Sequence, residues 1–125
     1  MALYYTLPAY KESYKLVMML FVSSNSFARE YKYTIGQDLK NEGATLIKNI
    51  YRANKSDDKT IYLNEARENL ETIRLFLRLM QDFNQMSLKV FVEINLSVEN
   101  VSKQLTAWEK YSKTKALPES SIARA

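Results

Sequence analysis

Three arginines at helical spacing are the side chains in this sequence best suited to bind a phosphate-rich ligand. Each residue of an α-helix turns about 100° beyond the last, so Arg67, Arg74 and Arg78 fall within roughly 40° of one another. A row of guanidinium groups can donate paired hydrogen bonds to the phosphates of a nucleic acid. The alternative is a structural row, because Glu71 lies between the arginines and could hold Arg67 and Arg74 in ion pairs.

Lys48 and Arg52 belong to a second basic face, which they share with Lys40 and Lys55. A helix would bring these side chains into an arc of roughly 120°, where they could contact phosphates and release counterions. The alternative is an ordinary solvated helix surface. The net charge of +4 and the pI near 9.2 are compatible with either interpretation.

A connector at residues 27–33 interleaves basic and aromatic side chains. Arg29 and Lys32 lie beside Tyr31 and Tyr33, a combination that allows phosphate contacts while nucleobases stack on the rings. The alternative is that the tyrosines simply cover one end of the fold.

Enzymatic chemistry has little support in the sequence. The 125 residues include no Cys and no His, which excludes thiol nucleophiles, triads built on His, and zinc sites built on either residue. Only 2 Gly are present, so a glycine-rich phosphate loop is not expected. The carboxylates Glu65, Glu68 and Glu71 follow helical spacing and are typical of a solvated face. We therefore expect a binding protein with no catalytic residue, no metal and no cofactor.

Four amphipathic helices account for most of the hydrophobic pattern. Their predicted starts and ends, in chain order, are about Pro8 to Ser24, Thr34 to Asn54, Asp58 to Asp82, and Ser87 to Tyr111. The later starts carry capping signals: a capping box of Thr34 and Gln37, then Asp57 or Asp58, then Ser87.

Each predicted helix has an apolar stripe that is expected to face the core. The inward residues are Tyr10, Tyr14, Val17, Phe21 and Ser24 in the first helix, widened by Leu16, Met18 and Leu20; Ile35, Leu39, Leu46, Ile47 and Ile50 in the second; Leu63, Ala66, Leu70, Ile73, Leu77 and Met80 in the third; and Phe91, Ile94, Val98, Val101, Leu105 and Trp108 in the fourth. The last set alternates three and four apart, as in the seam of an antiparallel bundle. The sequence therefore predicts an all-α, antiparallel, up-down-up-down four-helix bundle over residues 1–111, followed by a basic, mobile tail at 112–125.

A second apolar surface on the third and fourth helices predicts a homo-oligomer. Ile61 and the residues near the end of the third helix lie away from its inward stripe, so one bundle core cannot bury both surfaces. The predicted interface residues are Leu75, Phe76, Leu79, Phe83, Leu88, Val92 and Leu96. The alternative is a wide core around an especially buried third helix.

No membrane partner is expected from the hydrophobic pattern. The apolar run at residues 16–22 is far shorter than the roughly 20 residues that span a bilayer. Lys11 and Lys15 precede this run, as in a signal peptide, but the pattern continues as an amphipathic helix. We therefore expect a cytoplasmic protein.

Three segments resemble the Avd-like four-helix-bundle proteins, the accessory variability proteins of diversity-generating retroelements. They are residues 27–37 (FAREYKYTIGQ), followed by the basic second helix, residues 73–79 (IRLFLRL) and residues 102–110 (SKQLTAWEK). The resemblance covers roughly residues 8–111. Proteins encoded in intervening sequences of bacterial ribosomal RNA genes share this fold.

The resemblance implies a partner-binding role. In the better-understood members of the family, five bundles form a tapered, positively charged barrel that binds nucleic acid and the retroelement reverse transcriptase, and supports mutagenic copying of a template RNA into cDNA. Arg74 and Arg78 are the first positions to which nucleic-acid binding would carry over, followed by Arg29 and Lys32. The alternative function is that of a four-helix scaffold, or an intervening-sequence type of protein, which contacts proteins without binding nucleic acid.

Overall fold

The computed structural model describes residues 3–116, with side chains as far as Thr114, and this part of the chain is helical with no strand. A short 3-10 helix at Tyr4–Thr6 precedes the α-helices. The α-helices are α1 (Pro8–Ser24), α2 (Arg29–Lys32), α3 (Ile35–Lys55), α4 (Thr60–Asp82) and α5 (Leu88–Ala116). The four long helices α1, α3, α4 and α5 correspond to the four predicted from the sequence, which confirms the all-α fold class.

The long helices enclose one aliphatic core. Helix α1 packs against α3 and α5, and α4 packs against the same two helices. Fully buried side chains come from all four: among them are Leu16, Leu20, Leu39, Leu46, Ile50, Leu63, Leu70, Ile73, Leu77, Ile94 and Leu105. Helices α1 and α3 lie close together at Gly43, where an added Cβ would lie 3.0 Å from Cγ2 of Val17.

A polar chain joins α3 to α4 inside this packing. The side-chain amide of Asn49 donates to Oδ1 of Asn69 at 2.8 Å, and the amide of Asn69 donates to Oε2 of Glu42 at 2.8 Å. Asn49 is only 2% exposed, and the hydrogen bond to Asn69 replaces water that its amide N–H has lost, whereas its Oδ1 is buried without a hydrogen-bond partner among the described residues.

One end of the fold, here called the Phe83 end, joins the connector after α1 to the end of α4. The backbone N–H of Ala28 donates to Oε1 of Gln85 at 2.7 Å. The rings of Tyr31 and Phe83 stack with centroids 5.4 Å apart. The C-terminal ends of α1 and α4 therefore lie at the same end of the molecule.

The opposite end, here called the Trp108 end, is organised by Lys59 in the turn before α4. Its ammonium donates to the carbonyl oxygens of Ala53 at 2.9 Å, in the last turn of α3, and of Ser56 at 2.8 Å, just after it. The same ammonium lies 5.8 Å from the ring centroid of Trp108 on α5. The turn between α3 and α4 is thereby held against α5.

The predicted capping signals have different outcomes. Ser87 caps α5 as predicted, because its Oγ accepts the N–H of Val90 at 3.2 Å. The predicted capping box is wrong: the hydroxyl of Thr34 instead donates to the carbonyl of Glu30 at 2.7 Å, and the amide of Gln37 donates to Asn41. The reason is the short helix α2, whose free carbonyl groups lie within reach of the Thr34 hydroxyl.

The predicted inward stripe of α1 is confirmed at Leu16, Leu20 and Ser24 and is wrong for three large side chains. Its buried residues are Ala9, Ser13, Leu16, Leu20 and Ser24. Tyr14 is 52% exposed and Phe21 43% exposed, and Met18 is exposed as well. Small residues on the buried side let α1 lie close to its neighbours, and this turns the large side chains outward.

Helix α5 follows its predicted seam and extends beyond its predicted end. Ile94, Val98, Val101 and Leu105 are buried, and both ends of the seam pack partly buried against the core. The helix continues to Ala116, past the boundary predicted at residue 111; the rest of the predicted tail, 117–125, lies outside the described residues. Within residues 3–116, no helix has both the length and the apolar character needed to cross a bilayer.

Candidate nucleic-acid interface

Two arginines of the predicted α4 row are bound to carboxylates. Nη2 of Arg67 lies 2.7 Å from Oε1 of Glu109 on α5. Arg74 pairs with Glu71 on its own helix and with Glu99 on α5. The ion pair predicted between Arg74 and Glu71 is therefore confirmed. Arg67 does not pair with Glu71 as predicted, because its partner Glu109 comes from a different helix. These ion pairs join α4 to α5 and leave little guanidinium charge uncompensated.

Arg78 is more available than the other two. Its side chain is 71% exposed, and Nε lies 3.3 Å from a carboxylate oxygen of Asp82 one turn further along α4. Exposed pairs at this spacing contribute only about 0.3–0.5 kcal/mol. A phosphate could therefore displace Asp82 at little cost.

Helix α3 presents a second basic row, and its surroundings differ from those of the α4 arginines. Lys48, Arg52 and Lys55, here called the α3 basic strip, are all exposed on the side opposite the buried residues of the helix. Among the described residues, none of these three cations is in an ion pair with a carboxylate. The ammonium of Lys55 instead lies 5.2 Å from the ring centroid of Tyr51. The strip therefore offers uncompensated positive charge to solvent.

Aromatic rings extend this surface from α3 toward α1. Tyr4 packs edge-on against Tyr51, Tyr10 and Tyr5, with centroids 5.2–5.4 Å apart. Tyr51 is 41% exposed and Tyr5 53% exposed. The sequence pattern did not predict this cluster. Its only signal was the position of Tyr51 next to Arg52, together with two tyrosines just ahead of α1.

The connector residues lie at the Phe83 end, away from most of the α3 basic strip. Arg29 is exposed on α2, and Lys32 is half-buried with its ammonium 5.9 Å from the ring centroid of Tyr33. Tyr31 is half-buried against Phe83, so this ring covers the end of the fold, as in the alternative interpretation. The seven residues predicted to bind nucleic acid thus form three groups rather than one site.

The residues predicted to form an oligomer interface are mostly exposed. Leu75, Leu79, Phe83, Leu88, Val92 and Leu96 are between 41% and 66% exposed. Phe76 differs, because it is half-buried and packs against the core. Ile61 is exposed on α4 as well. This apolar surface lies mainly in the half of the molecule nearer the Phe83 end.

A hydrogen bond in the turn before α4 changes the pKa of one carboxyl. The backbone N–H of Thr60 donates to Oδ1 of Asp58 at 3.0 Å, and this hydrogen bond lowers the pKa of the Asp58 carboxyl below its ordinary value. Within the described part of the chain, no group of three or more metal-ligating side chains is brought together. The arrangement is suited to binding through charge and stacking.

The family comparison matches nearly the whole fold. The model of the family described as bAvd-like matches residues 9–112, from the start of α1 to near the end of α5. This match confirms the resemblance to Avd-like four-helix proteins. No curated protein matches the sequence.

Proposed function

Because this chain belongs to the bAvd-like family, we propose that it is a non-enzymatic accessory subunit of a diversity-generating retroelement. It binds nucleic acid, as template RNA or cDNA, together with the reverse transcriptase, and so supports mutagenic reverse transcription in the cytoplasm. Family membership supports the accessory role. The proposed nucleic-acid site is supported separately by the charged surfaces described above.

The α3 basic strip is the observation that carries the nucleic-acid proposal. Its cations have no carboxylate partner among the described residues, so phosphates would not have to displace an existing ion pair. Binding releases the counterions condensed on the nucleic acid, and this gives affinity that falls steeply with salt. The exposed ring of Tyr51 beside Arg52 adds a surface on which a base could stack.

The proposed assembly is a closed ring of antiparallel bundles, five by resemblance to the family. The contacts at the two ends support the antiparallel arrangement. The connector after α1 and the turn after α4 meet at the Phe83 end, whereas the turn after α3 lies against α5 at the Trp108 end. The exposed apolar surfaces of α4 and α5 support assembly, since single soluble domains seldom leave so many large apolar side chains in water.

The test is RNA binding across a salt series. A fluorescently labelled RNA hairpin with single-stranded flanks is titrated with wild-type protein and with the double variant Lys48→Glu and Arg52→Glu. We expect the wild type to show a steep salt dependence, and the variant to bind at least about tenfold more weakly, because two phosphate contacts become repulsive.

A matched control is the double variant Lys103→Glu and Lys110→Glu on α5. It has the same change in net charge on exposed residues away from α3, so RNA affinity should fall much less. Equal losses in both variants would mean that only net charge matters and that α3 holds no site. Salt-independent or absent binding by the wild type would contradict the nucleic-acid proposal itself.

The second candidate is a four-helix scaffold that contacts only proteins. It is favoured by the α4 arginines, since Arg67 and Arg74 are already paired, and by the exposed apolar surface beside them. Its signature would be a stable oligomer without salt-dependent nucleic-acid affinity. A reverse transcriptase gene next to this gene would favour the first candidate.

A further inference from the structure

Two exposed helix faces on opposite sides of the molecule have complementary side chains. The α1 outer face consists of Lys11, Tyr14, Lys15, Met18 and Val22. The α4 outer face consists of Ile61, Glu65, Glu68, Leu75 and Leu79. All ten side chains are exposed. Each face combines apolar side chains with charge of one sign, positive on α1 and negative on α4.

We propose that the α1 outer face of one copy packs against the α4 outer face of the next copy, with both copies oriented the same way up. The inference rests on the ring assembly proposed above and specifies which surfaces build it. It adds a helix that the sequence pattern did not predict at an interface, because α1 was expected to bury its large side chains.

The position of the two helices in the bundle suits a ring. Helices α1 and α4 both pack on α3 and α5, and within the described residues they share no comparable contact with each other. Their outer faces therefore point in roughly opposite directions. A contact between two different surfaces repeats from copy to copy, and it gives a closed ring when the rotation closes.

The two faces also match along their length. Ser24 and Asp82 end their helices at the Phe83 end. At a rise of about 1.5 Å per residue, Val22 and Leu79 lie about 3–5 Å back from this end. By the same rise, Met18 and Leu75 lie about 9–11 Å back.

One charged residue of each face matches in the same way, because Lys11 and Glu68 both lie about 20 Å back from the Phe83 end. Lys15 lies about 14 Å back and Glu65 about 26 Å back, one on either side of this level. Two copies placed side by side in the same orientation therefore bring apolar residues against apolar residues and the Lys11 ammonium against the Glu68 carboxylate.

The four charged groups are free to make this contact. Among the described residues, Lys11, Lys15, Glu65 and Glu68 are in no ion pair. Within each helix they form like-charge neighbours at i,i+4 or i,i+3, an arrangement that disfavours the isolated helix. Contact with the next copy would place Lys11 of one pair against Glu68 of the other. The apolar residues of the two outer faces contribute the buried area of the contact. The charged residues select the partner surface and the register of the two helices.

The contact leaves the proposed nucleic-acid surface open. Helix α3 lies between α1 and α4 around the bundle, because it packs on both. Its basic strip faces outward and belongs to neither outer face. Every copy in the ring would therefore present Lys48, Arg52 and Lys55 on the same surface of the assembly.

A charge-swap experiment tests the contact. The variants are Lys11→Glu with Lys15→Glu, Glu65→Lys with Glu68→Lys, and all four changes together. Mass in solution is measured by sedimentation equilibrium at low salt, with far-ultraviolet circular dichroism to follow helicity. Each double variant places like charges across the contact and should weaken assembly about tenfold or more. The quadruple variant restores opposite charges and should assemble as the wild type does.

The control and the contrary outcomes separate this contact from the wider proposal. Lys103→Glu with Lys110→Glu, on α5, should leave the mass unchanged. A wild type that is monomeric at all concentrations would overturn the ring and this contact together. An oligomeric wild type whose double variants remain assembled would overturn this contact and leave the ring standing. A quadruple variant that is helical but dissociated would overturn the pairing. RNA affinity, measured separately, tests the nucleic-acid function.

Discussion

The basic rows of α3 and α4 have similar sequence patterns and opposite surroundings. On α4, the carboxylates of Glu99 and Glu109 reach across from α5 to Arg74 and Arg67. On α3, Lys48 and its neighbours face outward, and no helix lies in front of them. Arginine is the better phosphate ligand in isolation. The adjacent helix therefore decides whether a cation is available to a ligand or is held in an ion pair that stabilises the fold.

Neutralising each basic row in turn should give the largest difference in RNA affinity. The triple variant Lys48→Ala, Arg52→Ala and Lys55→Ala should lose about 30-fold or more in RNA affinity at low salt, and its salt slope should fall by about 2–3. The matched variant replaces the three α4 arginines by alanine and should lose less than about threefold, because only Arg78 is readily available. Fluorescence titration at several salt concentrations measures both. Equal losses would erase the distinction between the rows.

Freeing the α4 arginines should make the two rows more alike. In the double variant Glu99→Gln and Glu109→Gln, Arg67 loses its carboxylate and Arg74 keeps only Glu71. We expect RNA affinity to rise by about threefold to tenfold, because the uncompensated charge becomes available to phosphates. The control Glu30→Gln with Glu93→Gln changes the net charge equally on exposed residues that are in no ion pair within the described part of the chain, so it frees no arginine. A gain of the same size in the control would show that total charge is responsible.

For stability, the order of the two rows should be reversed: a substitution on α4 should lower the free energy of unfolding more than one on α3. Arg74→Met leaves Glu71 and Glu99 without their shared cation and should lower the free energy of unfolding by about 1 kcal/mol. Arg52→Met on α3 removes the same charge without breaking an ion pair and should change it by less than about 0.5 kcal/mol. Urea denaturation at one fixed protein concentration compares them. Equal losses would mean that the Arg74 ion pairs do not stabilise the fold.

The smallest effect concerns Asp58, in the turn that joins the two helices. Its pKa is lowered in the folded state by the hydrogen bond from the Thr60 N–H, so the folded state binds a proton less readily than the unfolded state. This contribution to stability is complete above the ordinary carboxyl pKa and is lost as the pH falls through the folded-state pKa. Asp58→Ala should lower the melting temperature slightly at neutral pH and lose this difference in acid. An unchanged melting temperature at neutral pH would show that the hydrogen bond has no net effect.

The helices and most of their ends could be predicted from local signals. Ser87 caps α5 through its own side chain, and Asp58 contacts the first turn of α4, so both signals depend only on neighbours in the sequence. The failure at Thr34 has a local cause too, because α2 is a single helical turn that hydrophobic periodicity does not reveal.

The orientation of α1 and the partners of the arginines could not be predicted in this way. Hydrophobicity gives Tyr14 and Phe21 more weight than Ala9 and Ser13, although the small residues are the buried ones. Close helix packing depends on the shape of the neighbouring helices, which the local pattern does not contain. Glu109 is likewise distant from Arg67 in the sequence, so only the packing of α5 on α4 makes them partners.

The polar chain from Glu42 through Asn69 to Asn49 bears on how the chain folds. Sliding α4 along α3 by one helical turn would keep aliphatic side chains in contact but would separate these amides and leave the buried Asn49 without its donor contact. An unpaired buried polar group costs about 1–3 kcal/mol, so a slipped hairpin is disfavoured from the moment it forms. The turn between α3 and α4 is short, and closing it costs little entropy. The α3–α4 hairpin can therefore reach its correct register early, and it gives α1 and α5 a fixed surface on which to dock.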